Sequence, residues 1–431
     1  MSVSIGDGVE SWVCARDGAK DGMKDRRSTA PLNDQTEIPA HRRTPGDDCP
    51  QPGMIGPVPA DRHYSMAIWD GDRKSFRLRQ AWQSLSAHRE EPGALFRSAK
   101  FFDYLTEAEP EVRLDVLVVE DVGAGEIVGV VPTKISLFEL PFTLGNRIWW
   151  RLRLKRINIL GSEPLVPETP EVYDGLFLTL SQRYPDAQVV YMDAVPLDSR
   201  LWQHIRTSRT VRRLYHIHVM HGFRQCHSVL VPSSIDAYRK KLGRKRRYNF
   251  MRQERLLQER IVSPLRLKTI EAPDEVPQLF EAMRQLKVSQ KDHSSLSDRE
   301  YACLSAHGFL LCFVLAAEDT VIGLVIGTRY GKTYKVHRIY YNEFFEKFSP
   351  GTTLWQIVFR NIIEKAEFSK VDMGFGTPAY QYRATNMVET RGRVLLFRRT
   401  FANRCRIFAH ATYSSAVDFV KRRVFGDFQE E

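Results

Sequence analysis

The sequence predicts a mixed α/β (α+β) fold built as a tandem duplication, and three observations carry that prediction. The chain has 431 residues, more than one ordinary core fills and enough for two. Two stretches resemble each other: Glu126-Ile-Val-Gly129-Val-Val131 and Thr320-Val-Ile-Gly323-Leu-Val325 each close a pair of strands. Farther along, Pro170 precedes a helix and a strand at 188–193, as Pro350 precedes a helix and a strand at 370–373. The two sets are offset by about 180 to 190 residues, the self-similarity that marks a repeated structural unit. Each unit reads helix, strand, strand, strand, helix, strand.

Along the chain, residues 1–62 are rich in Gly, Asp, Arg and Pro without apolar periodicity. They bury too little surface to offset the entropy of ordering, so they are expected to be a disordered tail or an over-extended translation start. A first half is expected over 63–230. It opens with a strand at 66–69 and a helix whose Phe76, Trp82 and Leu85 lie near one face. A helix at 99–107 and strands at 114–120 and 126–133 follow, the strands joined by a glycine turn at 123–125. Residues 151–155 alternate polar and apolar, as a half-buried strand does. The basic strip there reads as a solvated face, with Trp149 and Trp150 leaving a membrane-surface reading open.

A basic linking helix is expected within 231–264. Ser233 and Asp236 suggest a capping box, Ile235, Tyr238, Leu242, Phe250, Leu257 and Ile261 share a broad face, and Gly243 predicts a break. The second half spans 265–431.

Composition limits the function classes. Apolar residues make up 43% and charged residues 27%, the balance of a folded globular protein. Six cysteines lie far apart, with no C-x-x-C pair and no His/Cys cluster at metal-ligand spacing, so they are expected to be reduced thiols in a cytoplasmic protein without a metal. No run approaches the ~20 apolar residues that span a bilayer. The net charge of +11 favours anionic partners without choosing among them. There is no G-x-S-x-G elbow, P-loop, H-E-x-x-H or G-x-G-x-x-G after a strand. His216 and His218 fall in strand-like alternation and read as strand residues rather than ligands.

The most informative motif is Ser349-Pro350-Gly351-Thr352-Thr353-Leu354. Serine favours the N-cap, proline the first helical position, and Gly351 allows close approach of another backbone. Preceded by a strand at 333–341, this helix start offers backbone N–H groups to a phosphate or pyrophosphate, so Ser349, Gly351, Thr352 and Thr353 are the candidate cofactor residues. The alternative is an ordinary helix cap. Tyr341 and Asn342, just past that strand, are candidate substrate contacts together with Gln381.

A second candidate region is the strand Val371-Asp372-Met373 with the following Gly374-Phe375-Gly376-Thr377-Pro378-Ala379-Tyr380-Gln381-Tyr382-Arg383. Ligands of open α/β sheets bind at the carboxyl ends of strands. Asp372 could orient or deprotonate an amine or hydroxyl, Tyr380 could return a proton to a leaving thiolate, and Arg383 could support them. A turn role for Asp372 and core packing for Tyr380 remain the alternatives. The linking helix carries Arg239, Lys240, Lys241, Arg244, Lys245, Arg246, Arg247, Arg252 and Arg255. They could neutralise RNA phosphates, reach the phosphates of CoA, or form a solvated face balanced by Glu254 and Glu259.

In this order the motifs resemble the GNAT-like acetyltransferases associated with bacterial cellulose biosynthesis, which are related to the FemAB peptidyltransferases. The resemblance runs from about Ser65 to Phe408. It rests on the helix Trp82 to Leu85, the Phe-x-Ser segment Phe96 to Ser98, the strand ending at Pro132, the basic helix Arg244 to Arg255, the Ser349 to Leu354 turn and the strand at Asp372. Where the family carries Tyr-Lys this chain has Tyr380-Gln381, which removes a positive charge.

The resemblance implies a tandem duplicated GNAT fold with mixed sheets, whose splayed strands admit the pantetheine arm of acyl-CoA. It implies acetyl or another acyl transfer from acyl-CoA to an amine or hydroxyl, on a small molecule or saccharide in polysaccharide biosynthesis. The first half carries Thr169-Pro170-Glu171 where the second has Ser-Pro-Gly, and Glu168 and Glu171 would repel a pyrophosphate, so the second half is expected to hold the cofactor. Two other readings are an aminoacyl-tRNA donor, as in FemAB relatives, and a non-catalytic assembly protein, which Gln381 favours.

Overall fold

The computed structural model describes residues 63–87, 93–144, 147–261, 263–288, 296–375 and 387–425. The expectation for residues 1–62 therefore lies outside the described residues. The first set of elements is β1 (Tyr64–Ile68), α1 (Phe76–Ser86), α2 (Ala99–Ala108), β2 (Arg113–Asp121), β3 (Glu126–Leu144), β4 (Arg147–Ile159), α3 (Pro170–Arg183), β5 (Val189–Pro196), α4 (Arg200–Thr207), α5 (Arg209–Leu214) and β6 (Tyr215–Leu230). Helices α6 (Ile235–Lys241) and α7 (Arg244–Arg260) link it to the second set. That set is β7 (Arg266–Ile270), α8 (Val276–Gln285), α9 (Asp298–Ala306), β8 (Leu310–Ala317), β9 (Thr320–Tyr330), β10 (Thr333–Tyr341), α10 (Pro350–Lys365), β11 (Lys370–Phe375), β12 (Met387–Arg398) and α11 (Phe401–Phe425).

The strands form one mixed sheet in the order β1-β2-β3-β4-β5-β12-β6-β11-β10-β9-β8-β7. Neighbours are antiparallel except β4 with β5 and β10 with β11, which are parallel. Each parallel pair is joined by a crossover helix, α3 in the first half and α10 in the second, as parallel strands require. Counted inward from either edge, the arrangement is the same: three antiparallel ladders, then one parallel ladder.

At the centre the halves exchange strands. β6 leaves the first half to pair with β11, and β12 leaves the second to pair with β5. The two then pair with each other over twelve residues, from Met387↔Ser228 to Arg398↔Tyr215. Each half is thus completed by a strand from the other.

Apolar faces follow this plan. One core gathers Leu78, Trp82, Phe101 and Leu105 from α1 and α2 with Leu279, Met283, Tyr301 and Leu304 from α8 and α9, so the halves share it. On the other faces, α3 covers the first half through Val172, Leu176 and Leu180, and α10 covers the second through Leu354, Val358 and Ile362. Gly129 and Gly323 occupy matching places in β3 and β9. A Cβ at Gly129 would meet Val119 Cγ2 at 2.9 Å, and one at Gly323 would meet Leu354 Cδ2 at 2.8 Å. The repeated glycine therefore answers a repeated close approach.

Several local expectations are corrected. The predicted cap of the linking helix moves from Ser233 to Ser234, whose hydroxyl accepts the Ala237 N–H at 3.1 Å. The helix does break where Gly243 predicts it, between C-cap Leu242 and Gly243, the N-cap of α7. β3 and β4 are far longer than expected and form an extended hairpin. Near its tip Trp149 and Trp150 are exposed, and Arg151 and Arg153 bind Glu139 at 2.7 and 3.1 Å. Their pattern of polar and apolar sides alternates as the sequence predicts.

Candidate functional site

The site begins where β10 and β11 part. Their parallel ladder covers only Thr333↔Lys370, Tyr334↔Val371 and Lys335↔Asp372. β10 then continues to Tyr341 and β11 to Phe375 outside that register, with bulges at Val336/Arg338 and Asp372/Gly374 turning each strand. The result is a wedge between two strands that run the same way. In the first half β4 ends at Ile159, the last residue in register with β5, so only β5 runs on past that ladder, to Pro196.

Helix α10 starts beyond the end of β10, after a 3-10 turn over Glu343–Phe348. Ser349 adopts a left-handed conformation (φ 53°, ψ 52°) and makes no side-chain cap, which overturns its expected capping role. A serine in that region cannot aim its oxygen at the following N–H groups; its hydroxyl instead accepts from Gln253 Nε2 of α7 at 3.1 Å. The Thr353 N–H bonds the Ser349 carbonyl at 3.1 Å, and the Gly351 and Thr352 amides precede it at the positive end of the helix dipole. The Thr353 hydroxyl is buried and, among the described residues, lacks a hydrogen-bond partner. A Cβ on Gly351 would meet the Tyr341 ring at 3.1 Å, so that ring lies against the helix start. Helix α7 runs alongside, with Glu254 bound to Arg360 of α10 at 2.6 Å. Arg246, two turns before Gln253, shares its face of α7.

At the vertex of the wedge, Asp372 is buried and faces Lys335, Nζ to Oδ2 3.9 Å. Its other oxygen accepts the Gly374 N–H at 2.8 Å, fixing the carboxylate within the bulge. Both residues line a cavity of about 360 Å³ bounded by Thr328, Tyr330, Lys332 and Phe96. Phe96 comes from the first half, and Lys335 Nζ lies 5.0 Å from its ring centre. The adjoining Ser98 caps α2 by accepting the Phe101 N–H at 3.1 Å. A smaller hollow shares Gly93, Phe96 and Lys335 and reaches Asp193 and Arg391. Behind it Arg393 of β12 binds Asp193 of β5 at 2.9 Å.

The neighbouring groups narrow the chemistry. Burial, reinforced by the Asp372 charge, pushes the Cys226 thiol up to about 12, so it is neutral and a poor nucleophile. Burial and the charges of Lys335 and Arg338 hold His337 well below its ordinary range; its Nε2 lies 2.8 Å from Thr328 Oγ1. Among the described residues lining that cavity, Asp372 is the carboxylate.

Apart from Ser349, which is held by Gln253, the expected residues fall into four groups. Gly351, Thr352, Thr353 and Tyr341 meet at the α10 tip, and Asp372 lies at the wedge vertex. Asn342 is engaged structurally: its oxygen accepts the Phe344 N–H at 3.1 Å and its Nδ2 donates to Val321 O at 3.2 Å. Tyr380, Gln381 and Arg383 lie outside the described residues. Sequence reasoning missed Lys335, Phe96, Asp193, Arg391 and Arg393. Arg391 and Arg393, alternating on β12 just before the apolar run Val394 to Phe397, were the one legible signal.

Among the described residues no helix is long and apolar enough to cross a membrane. No curated protein matches the chain. Solved structures resemble it in outline: the crystal structure of FemX at 11% identity, covering 74% of this chain and 96% of that one, TM-score 0.49. A tandem GNAT protein from the clavulanic acid biosynthesis pathway gives 12%, 78%, 98% and 0.45. The C-terminal domain of a putative lysylphosphatidylglycerol synthetase from Agrobacterium fabrum gives 10%, 77%, 95% and 0.44. Residues 244–382, which hold the wedge, the α10 tip and Asp372, match the family model described as an acetyltransferase (GNAT) domain.

Proposed function

We propose that this chain transfers an acyl group, acetyl in the simplest case, from acyl-CoA to an amine or hydroxyl, with the donor bound by the second half. The observation that carries this is the parting of β10 and β11 after three residue pairs, with an uncapped helix tip beyond the opening. The pantetheine arm would lie in the wedge and the pyrophosphate against the Gly351 and Thr352 amides, with Arg246 of α7 adding positive charge. The acceptor would enter the cavity shared by Phe96, Lys335 and Asp372. Asp372 would take the proton of the attacking amine or hydroxyl, and the CoA thiolate would leave along the wedge. With Cys226 neutral, direct transfer is favoured over an acyl-enzyme. A saccharide acceptor in polysaccharide synthesis, Tyr380 as the proton source for the thiolate and Arg383 in a supporting role belong to this same reading.

Acetyl-CoA titrated calorimetrically into Gly351→Ala and Gly351→Asp tests it. Alanine should bind within a few-fold of the unaltered chain after a small shift of Tyr341, and aspartate, with its anion at the dipole's positive end, should abolish binding. Unchanged affinity in the aspartate variant would refute the phosphate cradle.

A second reading, an aminoacyl-tRNA donor, draws on the exposed run Arg244 to Arg247 at the start of α7. It predicts salt-sensitive RNA retention that disappears when Arg244, Arg246 and Arg247 become alanine.

A further inference from the structure

The last turn of α2 and the end of α9 lie side by side across the seam between the halves, and three side chains with metal-binding atoms converge there. Glu107, Cys303 and His307 bring a carboxylate oxygen, a sulfur and an imidazole nitrogen within 4.8 Å of one another. His307, the C-cap of α9, follows Cys303 by one helical turn, so the two lie on one side of the helix end. Glu107 reaches them from the other half, its Oε2 3.0 Å from His307 Nε2 across 200 residues of chain. The imidazole is held in place, stacked on Phe309 at 6.1 Å between ring centres and edge-on to Tyr104 at 6.0 Å. Cys303 is buried and Glu107 exposed, so the cluster opens to solvent on one side.

We propose that Glu107, Cys303 and His307 form a site for Zn²⁺ or a similar borderline-soft divalent cation that clasps the two halves together. One sulfur, one nitrogen and one oxygen suit zinc, which binds such atoms tetrahedrally at about 2.0–2.3 Å, whereas calcium and magnesium require oxygen ligands. The present spread of the ligand atoms needs to contract by roughly an ångström to meet tetrahedral geometry, which rotation of the exposed Glu107 side chain supplies. Cys303 would bind as the thiolate and release its proton to solvent, and a water would take the fourth position. None of the three residues lines the cavity around Asp372, so the site is separate from acyl transfer.

The full-length chain, reduced and metal-free, is titrated with Co²⁺ and followed by absorption. The expected result is a single equivalent with tetrahedral d–d bands and a thiolate-to-cobalt charge-transfer band, displaced by Zn²⁺. Cys303→Ser should remove the charge-transfer band, and Glu107→Gln and His307→Ala should each weaken binding roughly tenfold or more. Cys405→Ser, at an exposed cysteine elsewhere, should leave the titration unchanged. Circular dichroism confirms that each variant is folded, and Glu107→Gln, at the surface, carries the decision if Cys303→Ser is not. Absence of a stoichiometric band, its survival in Cys303→Ser, or equal cobalt affinity in folded Glu107→Gln would overturn the site.

Discussion

Two helices occupy equivalent places in the two halves, yet their first turns differ. In α3, Thr169 is extended and its hydroxyl accepts the Val172 N–H; Glu171 stands in the first turn, and Glu168 lies 3.5 Å from Arg200. That tip carries its own cap and its own negative charge. In α10, Ser349 is left-handed, its hydroxyl is drawn to Gln253, and a glycine stands where α3 has Glu171. The strands before them differ likewise: β4 stops at the end of its parallel ladder, while β10 runs on past it. A duplicated frame thus has one helix start closed by its own side chains and one with neither a side-chain cap nor an acidic residue in its first turn.

Two lysine–carboxylate pairs repeat the contrast. Lys134 and Glu109 are almost wholly buried and 2.9 Å apart, whereas Lys335 and Asp372 are 3.9 Å apart beside a cavity. The first pair is enclosed by the protein interior, and the second borders the cavity where the proposed acyl transfer would take place. Lys134→Met should therefore destabilise the protein most, by about 3–5 kcal/mol in urea unfolding, because it strands Glu109 in the interior. Next, Asp372→Asn should lower kcat/KM by about 100-fold, or ~2.7 kcal/mol in the barrier, with little change in melting temperature, since asparagine can still accept the Gly374 N–H. A large loss of stability with little loss of rate would reverse the two assignments.

Gly129→Ala and Gly323→Ala should each cost about 1–3 kcal/mol, because both added methyl groups meet atoms closer than 3.0 Å. A marked inequality would show that the halves are packed less alike than their sequences. The exchanged strands can be probed by pH. His218 of β6 packs 5.5 Å from His410 of α11, and burial, aided by His410 and His221, lowers it to about 4. The unfolded chain takes up this proton near 6.5, so the stability from neutral His218 is complete above that pH. It is lost as pH falls towards 4, a change of about 1–2 kcal/mol after discounting for partial exposure. His218→Phe should flatten the melting temperature over that range; an unaltered slope would place the titration elsewhere. The smallest effect is expected of Glu171→Gly, which removes one charge at α3 but leaves the Thr169 cap, so calorimetry should still count a single acetyl-CoA per chain.

Much of the second half was legible because its signals are local. Pro350 after a serine marks the start of α10, alternation marks β10, and the repeated glycines mark β3 and β9. The helical break at Gly243 was visible for the same reason. Other features escaped because they depend on partners far along the chain. Ser349 reads as an N-cap by residue type, but its left-handed backbone follows from the 3-10 turn before it and from Gln253. Lys335 becomes interesting only once parallel register sets it opposite Asp372. Phe96 belongs to the first half and enters the second half's cavity only through the shared core.

By itself the sequence determined the order and kind of most elements, the duplication, and which helix start lacked a negative charge, because periodicity, caps and charges act over a few residues. Tertiary structure decided the exchange of β6 and β12, the wedge at Lys335 and Asp372, and the meeting of Glu107 with Cys303 and His307. Those outcomes rest on strand register and on packing between residues some 200 positions apart, where the gain comes from surfaces fitting together and no single segment records it.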